Sequence, residues 1–244
     1  MAEAPLNSCR MTVLLAFDTA GERMTVALGA GARRWSKSAE GGSKASAALV
    51  PAILGVLGEA GLRLADLDAI AFGRGPGAFT GLRTACSVAQ GLAFGAGKPV
   101  LPIDSLLLVA EAARGGAASF RTWAAIDARM DQVYAAEYRF DDGRWTTLVA
   151  PLLADVAALA QRWRDAPPEA VAGDALSVFA GRLDTGPARR FPGARVDAEV
   201  LLALAASAWR EGRGVDAADA LPLYVRDKVA QTTRERDAAK AVKA

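Results

Sequence analysis

Thr12-Val13-Leu14-Leu15-Ala16-Phe17-Asp18-Thr19-Ala20-Gly21, followed by the apolar run Met24 to Leu28, is the stretch on which the fold turns. A β-prone run, a short turn-rich break and a second β-prone run read as a hairpin. Asp18 closes its first strand. The plan returns in mid-chain: Thr122 to Ile126, the break Asp127-Ala128-Arg129-Met130-Asp131, then Val133 to Tyr138, again with an aspartate at the exit of the first strand. Two hairpins of one design, each leading into mixed helix and strand sequence, predict a duplicated lobe.

Working outward, the spacing predicts a helix from about Lys44 to Ala60, a strand at Asp68 to Phe72, a glycine loop and a helix at Thr84 to Phe94. A strand at Pro99 to Ile103 and a helix opening at Asp104-Ser105 follow. Beyond the second hairpin it predicts a helix at Leu153 to Trp163, a short strand at Ala170 to Gly173 and a helix at Asp174 to Leu183. After a loop at Thr185 to Gly193 come a helix at Val200 to Arg210 and an extended piece at Pro222 to Arg226. Alternating β and α elements behind a hairpin make an α/β protein with a mixed sheet.

Gly73-Arg74-Gly75-Pro76-Gly77-Ala78-Phe79-Thr80-Gly81-Leu82-Arg83 joins the strand to the helix. Four glycines in nine positions cost backbone entropy and persist where positive φ, close approach or a ligand requires them. A tight turn with Thr80 near the helix N-cap and an anion cradle at a helix N-terminus both fit. A Walker A loop does not, because Leu82 and Arg83 follow Gly81 where Lys and Ser/Thr are needed. Gly73, Gly75 and Ala78 satisfy the dinucleotide fingerprint formally. The helix is delayed by Pro76 to Gly81, however, and no acidic residue stands about 20 positions on to hold a ribose. A nicotinamide or flavin oxidoreductase is thus a minor alternative.

The chain has 244 residues and a net charge of +2, with basic and acidic residues interspersed, so stand-alone nucleic-acid binding is not indicated. It contains no histidine. That excludes a His-based metal site, a Ser-His-Asp triad and a His general base. Cys9 and Cys86 have no metal or redox spacing, which suits a reducing cytoplasm. The apolar windows Ala45 to Leu57 and Val100 to Ala113 are too short or too interrupted to span a bilayer, and no signal peptide is expected. The basic residues after Val225, Arg226 among them, read as a solvated terminus.

A repeated hairpin with aspartate at its tip resembles the actin-like ATPase (ASKHA) fold, in which two ribonuclease H-like lobes with mixed sheets face each other across a cleft. GRGPGAFTGLR at 73–83, with LLAFDT at 14–19, IDAR at 126–129 and LPLYVR at 221–226, narrows the resemblance to the bacterial tRNA threonylcarbamoyladenosine biosynthesis family TsaB, also called YeaZ. The resemblance runs from about Val13 to Arg226. On that plan residues 1–10 are an N-terminal extension. Residues 11–104 form lobe I with a returning segment at 205–225, 105–204 form lobe II, and 226–244 are a flexible basic tail.

The resemblance implies a cytoplasmic subunit without catalytic residues of its own. Such a chain pairs with the catalytic threonylcarbamoyltransferase TsaD, with the ATPase TsaE completing the complex, to modify the adenosine beside the anticodon in tRNAs reading adenine-initial codons. It implies no cofactor or metal on this chain alone, ATP/ADP and metal belonging to the complex. It further implies tRNA contact through the complex, no membrane, and a homodimer when unpaired. The catalytic relative holds its metal with two histidines four apart on the helix that here reads Ser43-Lys44-Ala45-Ser46-Ala47-Ala48-Leu49-Val50-Pro51. An independent actin-like ATPase or phosphotransferase is the alternative.

Pairing through helices contributed by both partners, as the resemblance implies, puts Leu49, Ile53, Leu57, Ala85, Ala89 and Leu92 on the partner interface. Packing of both faces on their own sheet is the competing reading. Gly73, Arg74, Gly75, Pro76, Gly77, Thr80, Gly81 and Arg83 form a structural or nucleotide-proximal loop, with Gly77 and Gly81 expected at positive φ. Asp18 and Asp127 suit turn aspartates bonded to their own backbone better than metal or phosphate partners. Asp104-Ser105 and Gly173-Asp174 read as helix caps. Arg74 and Arg83 are open between phosphate, a partner carboxylate and solvent.

Overall fold

The computed structural model describes residues 11–42 and 45–226. The N-terminal extension with Cys9, Ser43-Lys44 and the tail beyond Arg226 lie outside them.

β1 (Val13–Asp18), β2 (Arg23–Ala30) and β3 (Arg33–Glu40) form an antiparallel meander. β4 (Ala69–Gly75) runs parallel to β1, and β5 (Val100–Asp104) parallel to β4. The second sheet repeats this with β6 (Phe120–Arg129), β7 (Gln132–Asp141), β8 (Arg144–Asp155), β9 (Ala170–Ala172) and β10 (Arg189–Phe191). The strand orders, β3-β2-β1-β4-β5 and β10-β9-β6-β7-β8, are one topology read from opposite ends. The duplicated ribonuclease H-like lobe and the actin-like fold class are therefore those read from the hairpins.

Period-2 alternation along buried strands sorts the side chains into layers. Val13, Leu15 and Phe17 of β1 face α1 (Ala45–Ala60) and α2 (Phe79–Ala96). Leu14 and Ala16 face a core shared by both lobes, which α3 (Ser105–Arg114) and α6 (Ala198–Arg210) help to fill. β6 divides likewise: Ala124 joins the shared core, while Trp123 and Ala125 face α4 (Val156–Asp165) and the single turn α5 (Ala175–Val178). α6 packs on β1 and β2 of the first sheet, and α3 on β6 and β7 of the second. The lobes are thus joined at the base by a continuous apolar core.

Several expectations need correction. β3 and β8 were not expected. Both are sheet edges whose side chains are largely solvated, so neither carries a burial signal. Leu153 belongs to β8, and α4 starts three residues later, at Val156. α2 begins at Phe79 with Ala78 at the N-cap position, so Thr80 lies inside the first turn. α5 ends at Val178 instead of reaching Leu183, and β10 forms within the expected loop at Thr185 to Gly193.

The helix faces also differ from expectation. Leu49, Ile53, Leu57, Ala85 and Ala89, expected on a partner interface, are 3% exposed or less and lie in lobe I's own core, with Leu92 half-buried at its edge. Their apolar ridges pack on the lobe's own sheet. A buried side chain leaves no surface for a partner.

Candidate functional site: the cleft between the hairpin tips

Parallel pairing sets the glycine loop against the first hairpin tip. Phe17 is in register with Phe72, which places Asp18 beside Gly73. A Cβ on Gly73 would fall on the Asp18 carboxylate, and one on Gly81 on the Thr19 carbonyl. One on Gly77 would stand 2.7 Å from the Ala20 carbonyl oxygen. Close approach therefore requires these three glycines. Only Gly75 in the loop has positive φ, +104°, which corrects the expectation for Gly77 and Gly81. The Gly75–Pro76 peptide is cis.

Several of the loop's polar groups bond within the chain. The Ala78 N–H donates to the Ala20 carbonyl at 2.9 Å, and the Thr19 hydroxyl to the Gly81 carbonyl at 2.7 Å. Ser105 ties loop to tip: its hydroxyl accepts from the Gly75 N–H at 3.2 Å and donates to Asp18 Oδ2 at 2.8 Å. Asp18 Oδ1 accepts the Ala20 N–H at 2.7 Å. Burial pushes the Asp18 carboxyl above its ordinary range, against the opposing pull of the Ser105 hydroxyl and the backbone of Ala20 and Gly21.

Lobe II repeats the motif with different partners. Asp127 Oδ1 accepts the Arg129 N–H at 2.8 Å, and its Oδ2 pairs with the Arg129 guanidinium at 2.9 Å. Asp174 accepts the Asp127 N–H at 2.9 Å, and burial raises its carboxyl. Both hairpin aspartates are turn residues bonded to their own backbone. Gly173, at φ +119°, takes the place of Gly73, its absent Cβ clearing the Ala125 carbonyl.

Each arginine of the loop has a partner within the chain. Arg74 Nε donates to Asp104 at 2.6 Å, so Asp104 forms an ion pair and makes no side-chain cap at the start of α3. Arg83 lies 3.9 Å over the Phe79 ring and donates to the Tyr224 hydroxyl at 3.1 Å. Asp174 makes no side-chain cap either.

A cleft of ≈ 970 Å³ opens between the lobes, lined by both hairpin tips, the loop and the extended segment after α6. That segment crosses its mouth as a strap. The Leu223 N–H donates to the Arg74 carbonyl at 2.7 Å, Tyr224 packs on Phe79 with ring centroids 5.7 Å apart, and the Arg226 guanidinium donates to the Ala128 carbonyl at 2.8 Å. Arg226 is therefore a placed side chain and not part of a solvated terminus. The functional parts of Ser105, Tyr224 and Arg226 were illegible in the sequence, since each depends on a contact more than 85 residues away.

Against the needs of an actin-like ATPase, part of the loop is already bonded within the chain and the side chains of a metal site do not converge among the described residues. The Gly75 and Ala78 amides and both loop arginines already have partners within the chain. Among the described residues, no three His, Cys, Asp or Glu side chains converge as a metal site. None of their helices is long and apolar enough to cross a membrane.

Fold and site together define a two-lobed actin-like protein whose glycine loop braces its own hairpin and strap. The comparisons make this particular. Residues 41–232 match the family model of the tRNA N6-adenosine threonylcarbamoyltransferase TsaD. The chain is similar to the tRNA threonylcarbamoyladenosine biosynthesis protein TsaB of Escherichia coli, 38% identical over 54% of this chain and 58% of that one. For TsaB of Haemophilus influenzae the values are 43%, 51% and 52%. The chain thus spans only about half the length of these relatives. It superimposes on YeaZ from Pseudomonas aeruginosa with a TM-score of 0.78 and 39% identity, covering 88% of this chain and 100% of that structure. The chain therefore belongs to the TsaB/YeaZ family and carries a domain of the TsaD type.

Proposed function

We propose that this chain is a non-catalytic subunit in the formation of threonylcarbamoyladenosine in tRNA, pairing with and supporting a TsaD-type threonylcarbamoyltransferase, with a TsaE-type ATPase in the same complex. The observation that carries this reading is the match to YeaZ over 88% of this chain, combined with a glycine loop several of whose polar groups bond inside the chain. Such a loop supports a scaffold better than a phosphate-transfer site. Nucleotide and metal then belong to the assembled complex, which works in the cytoplasm.

The pairing surface we assign is the outer side of α1 and α2. Val50 and Leu54, one turn apart on α1, are 38% and 55% exposed, and Phe94 on α2 is 86% exposed. Beside Phe94, Ser87, Gly91 and Gly95 follow at four-residue spacing on the solvent side, and a Cβ at either glycine would meet nothing within 4 Å. Glycine inside a helix costs about 1 kcal/mol relative to alanine, and no neighbour within the chain requires it there. A partner helix approaching closely does. The same surface makes the unpaired chain a homodimer.

The test is co-purification with the TsaD-type partner and a tRNA modification assay with and without this chain. Modification that depends on its addition, with no transfer by the chain alone, is expected. Full modification in its absence overturns the reading, and metal-dependent ATP turnover by the purified chain favours an independent ATPase.

A further inference from the structure

We propose that Arg226 is a latch which holds the inter-lobe cleft closed, so that the cleft opens about the shared core at its base when this side chain lets go. The strap before it is fixed firmly to lobe I. The Ala220 carbonyl accepts from Cys86 Sγ at 3.0 Å and from Gln90 Nε2 at 3.1 Å, the Leu223 N–H donates to the Arg74 carbonyl, and Tyr224 packs on Phe79 while its hydroxyl accepts from Arg83. Among the described residues, its polar hold on lobe II is one guanidinium, which donates to the Ala128 carbonyl at 2.8 Å and reaches Met130 Sδ at 3.6 Å.

The place it grips is a tight turn. Arg129, Met130 and Asp131 are three consecutive non-glycine residues at positive φ, 63°, 57° and 58°, a conformation that persists only where its surroundings impose it. Two other polar bridges join the lobes: the Thr25 hydroxyl to the Val196 carbonyl, long at 3.4 Å and uncharged, and the buried Ser105 hydroxyl at the start of α3, bonded to Asp18 and Gly75. Glu22 of lobe I and Asp174 of lobe II line the same cleft and repel each other, while Asp127 is paired with Arg129, and Arg23 and Arg195 also line the cleft. With the base packed and Ser105 bonded in the interior, the charge-assisted bond of Arg226 is the hold at the hairpin tip of lobe II. This holds whichever partner the chain serves.

Hydrogen exchange on the full chain, read by mass spectrometry or NMR, tests it. In Arg226→Ala the Asp127 and Arg129 amides, which close the tip, should exchange about tenfold faster or more, as loss of a charge-assisted bond implies. The Leu223 amide, anchored within lobe I, should keep its protection. Arg226→Lys retains a donor and should restore most of the tip's protection. Unchanged tip exchange in Arg226→Ala overturns the latch. So does loss of protection throughout both sheets, which would make Arg226 a general structural residue. Arg226→Lys exchanging as fast as Arg226→Ala overturns the donor role.

Discussion

Gly73→Ala tests the reasoning about the glycine loop most directly. The added methyl would land on the Asp18 carboxylate, 2.5 Å from its Cγ and 3.0 Å from its Cβ. Asp18 has nowhere to retreat. It is 3% exposed, it ends a strand buried on both faces, and its oxygens are committed to Ser105 and Ala20. Moving the carboxylate off those donors costs about 1.5–3 kcal/mol, and forcing the packed strands apart adds about 1–3 kcal/mol. The expected destabilisation is therefore about 2.5–6 kcal/mol, a large share of a typical folding stability of about 5–15 kcal/mol. At about 2–4 °C per kcal/mol for a chain of this size, the melting temperature should fall by about 5–24 °C. Gly91→Ala is the control: it adds the same methyl to a helix interior with open space around it and should stabilise by about 0.5–1 kcal/mol. Urea and thermal denaturation followed by circular dichroism give both values. In an Asp18→Ala background the Gly73→Ala cost should shrink by at least about 1 kcal/mol, because the colliding group is gone. An equal cost in both backgrounds, or a Gly73→Ala variant within about 0.5 kcal/mol of the parent, would refute the steric account.

Ala89→Arg, which drives a charged side chain into the core of lobe I, should leave little folded protein, whereas Gly91→Arg should fold normally and lose co-purification with the partner; gel filtration followed by pull-down separates the two. Asp18→Asn should flatten part of the pH dependence of stability. Because burial raises the Asp18 pKa, its contribution is complete below the ordinary aspartate range near pH 3.9 and is lost as pH rises through the higher folded value, so the parent should lose stability relative to Asp18→Asn over that rise. Urea titrations from pH 4 to about pH 8 measure this, and a constant difference contradicts the burial argument. The buried Tyr138 hydroxyl has no hydrogen-bond partner among the described residues. Tyr138→Phe should therefore be neutral or stabilising by up to about 1 kcal/mol, and a loss above that by chemical denaturation would reveal a partner for the hydroxyl.

Much of the architecture was present in the chain as local pattern. Thr12 to Leu28 and Thr122 to Tyr138 announce their hairpins because apolar runs broken by turn residues need no distant partner to be recognised, and their repetition carried the duplicated lobe. The missing histidines excluded whole classes of chemistry by composition alone. GRGPGAFTGLR marked the loop, since clustered glycines signal that something comes close. What comes close was decided only in three dimensions. Parallel pairing of β1 with β4 brings Asp18 against Gly73, and the return of the chain after α6 brings Tyr224 and Arg226 to the cleft. The ridge Leu49, Ile53, Leu57 shows the same division. Its spacing fixes which side chains share a helix face, but whether that face meets a sheet or a partner depends on where the helix docks. Edge strands β3 and β8 escaped because hydrogen bonding to one neighbour leaves their side chains solvated, so the residues carry little trace of the pairing. Periodicity is a property of the local chain, whereas burial, close approach and ion pairing are properties of residues distant in sequence, which folding alone brings together.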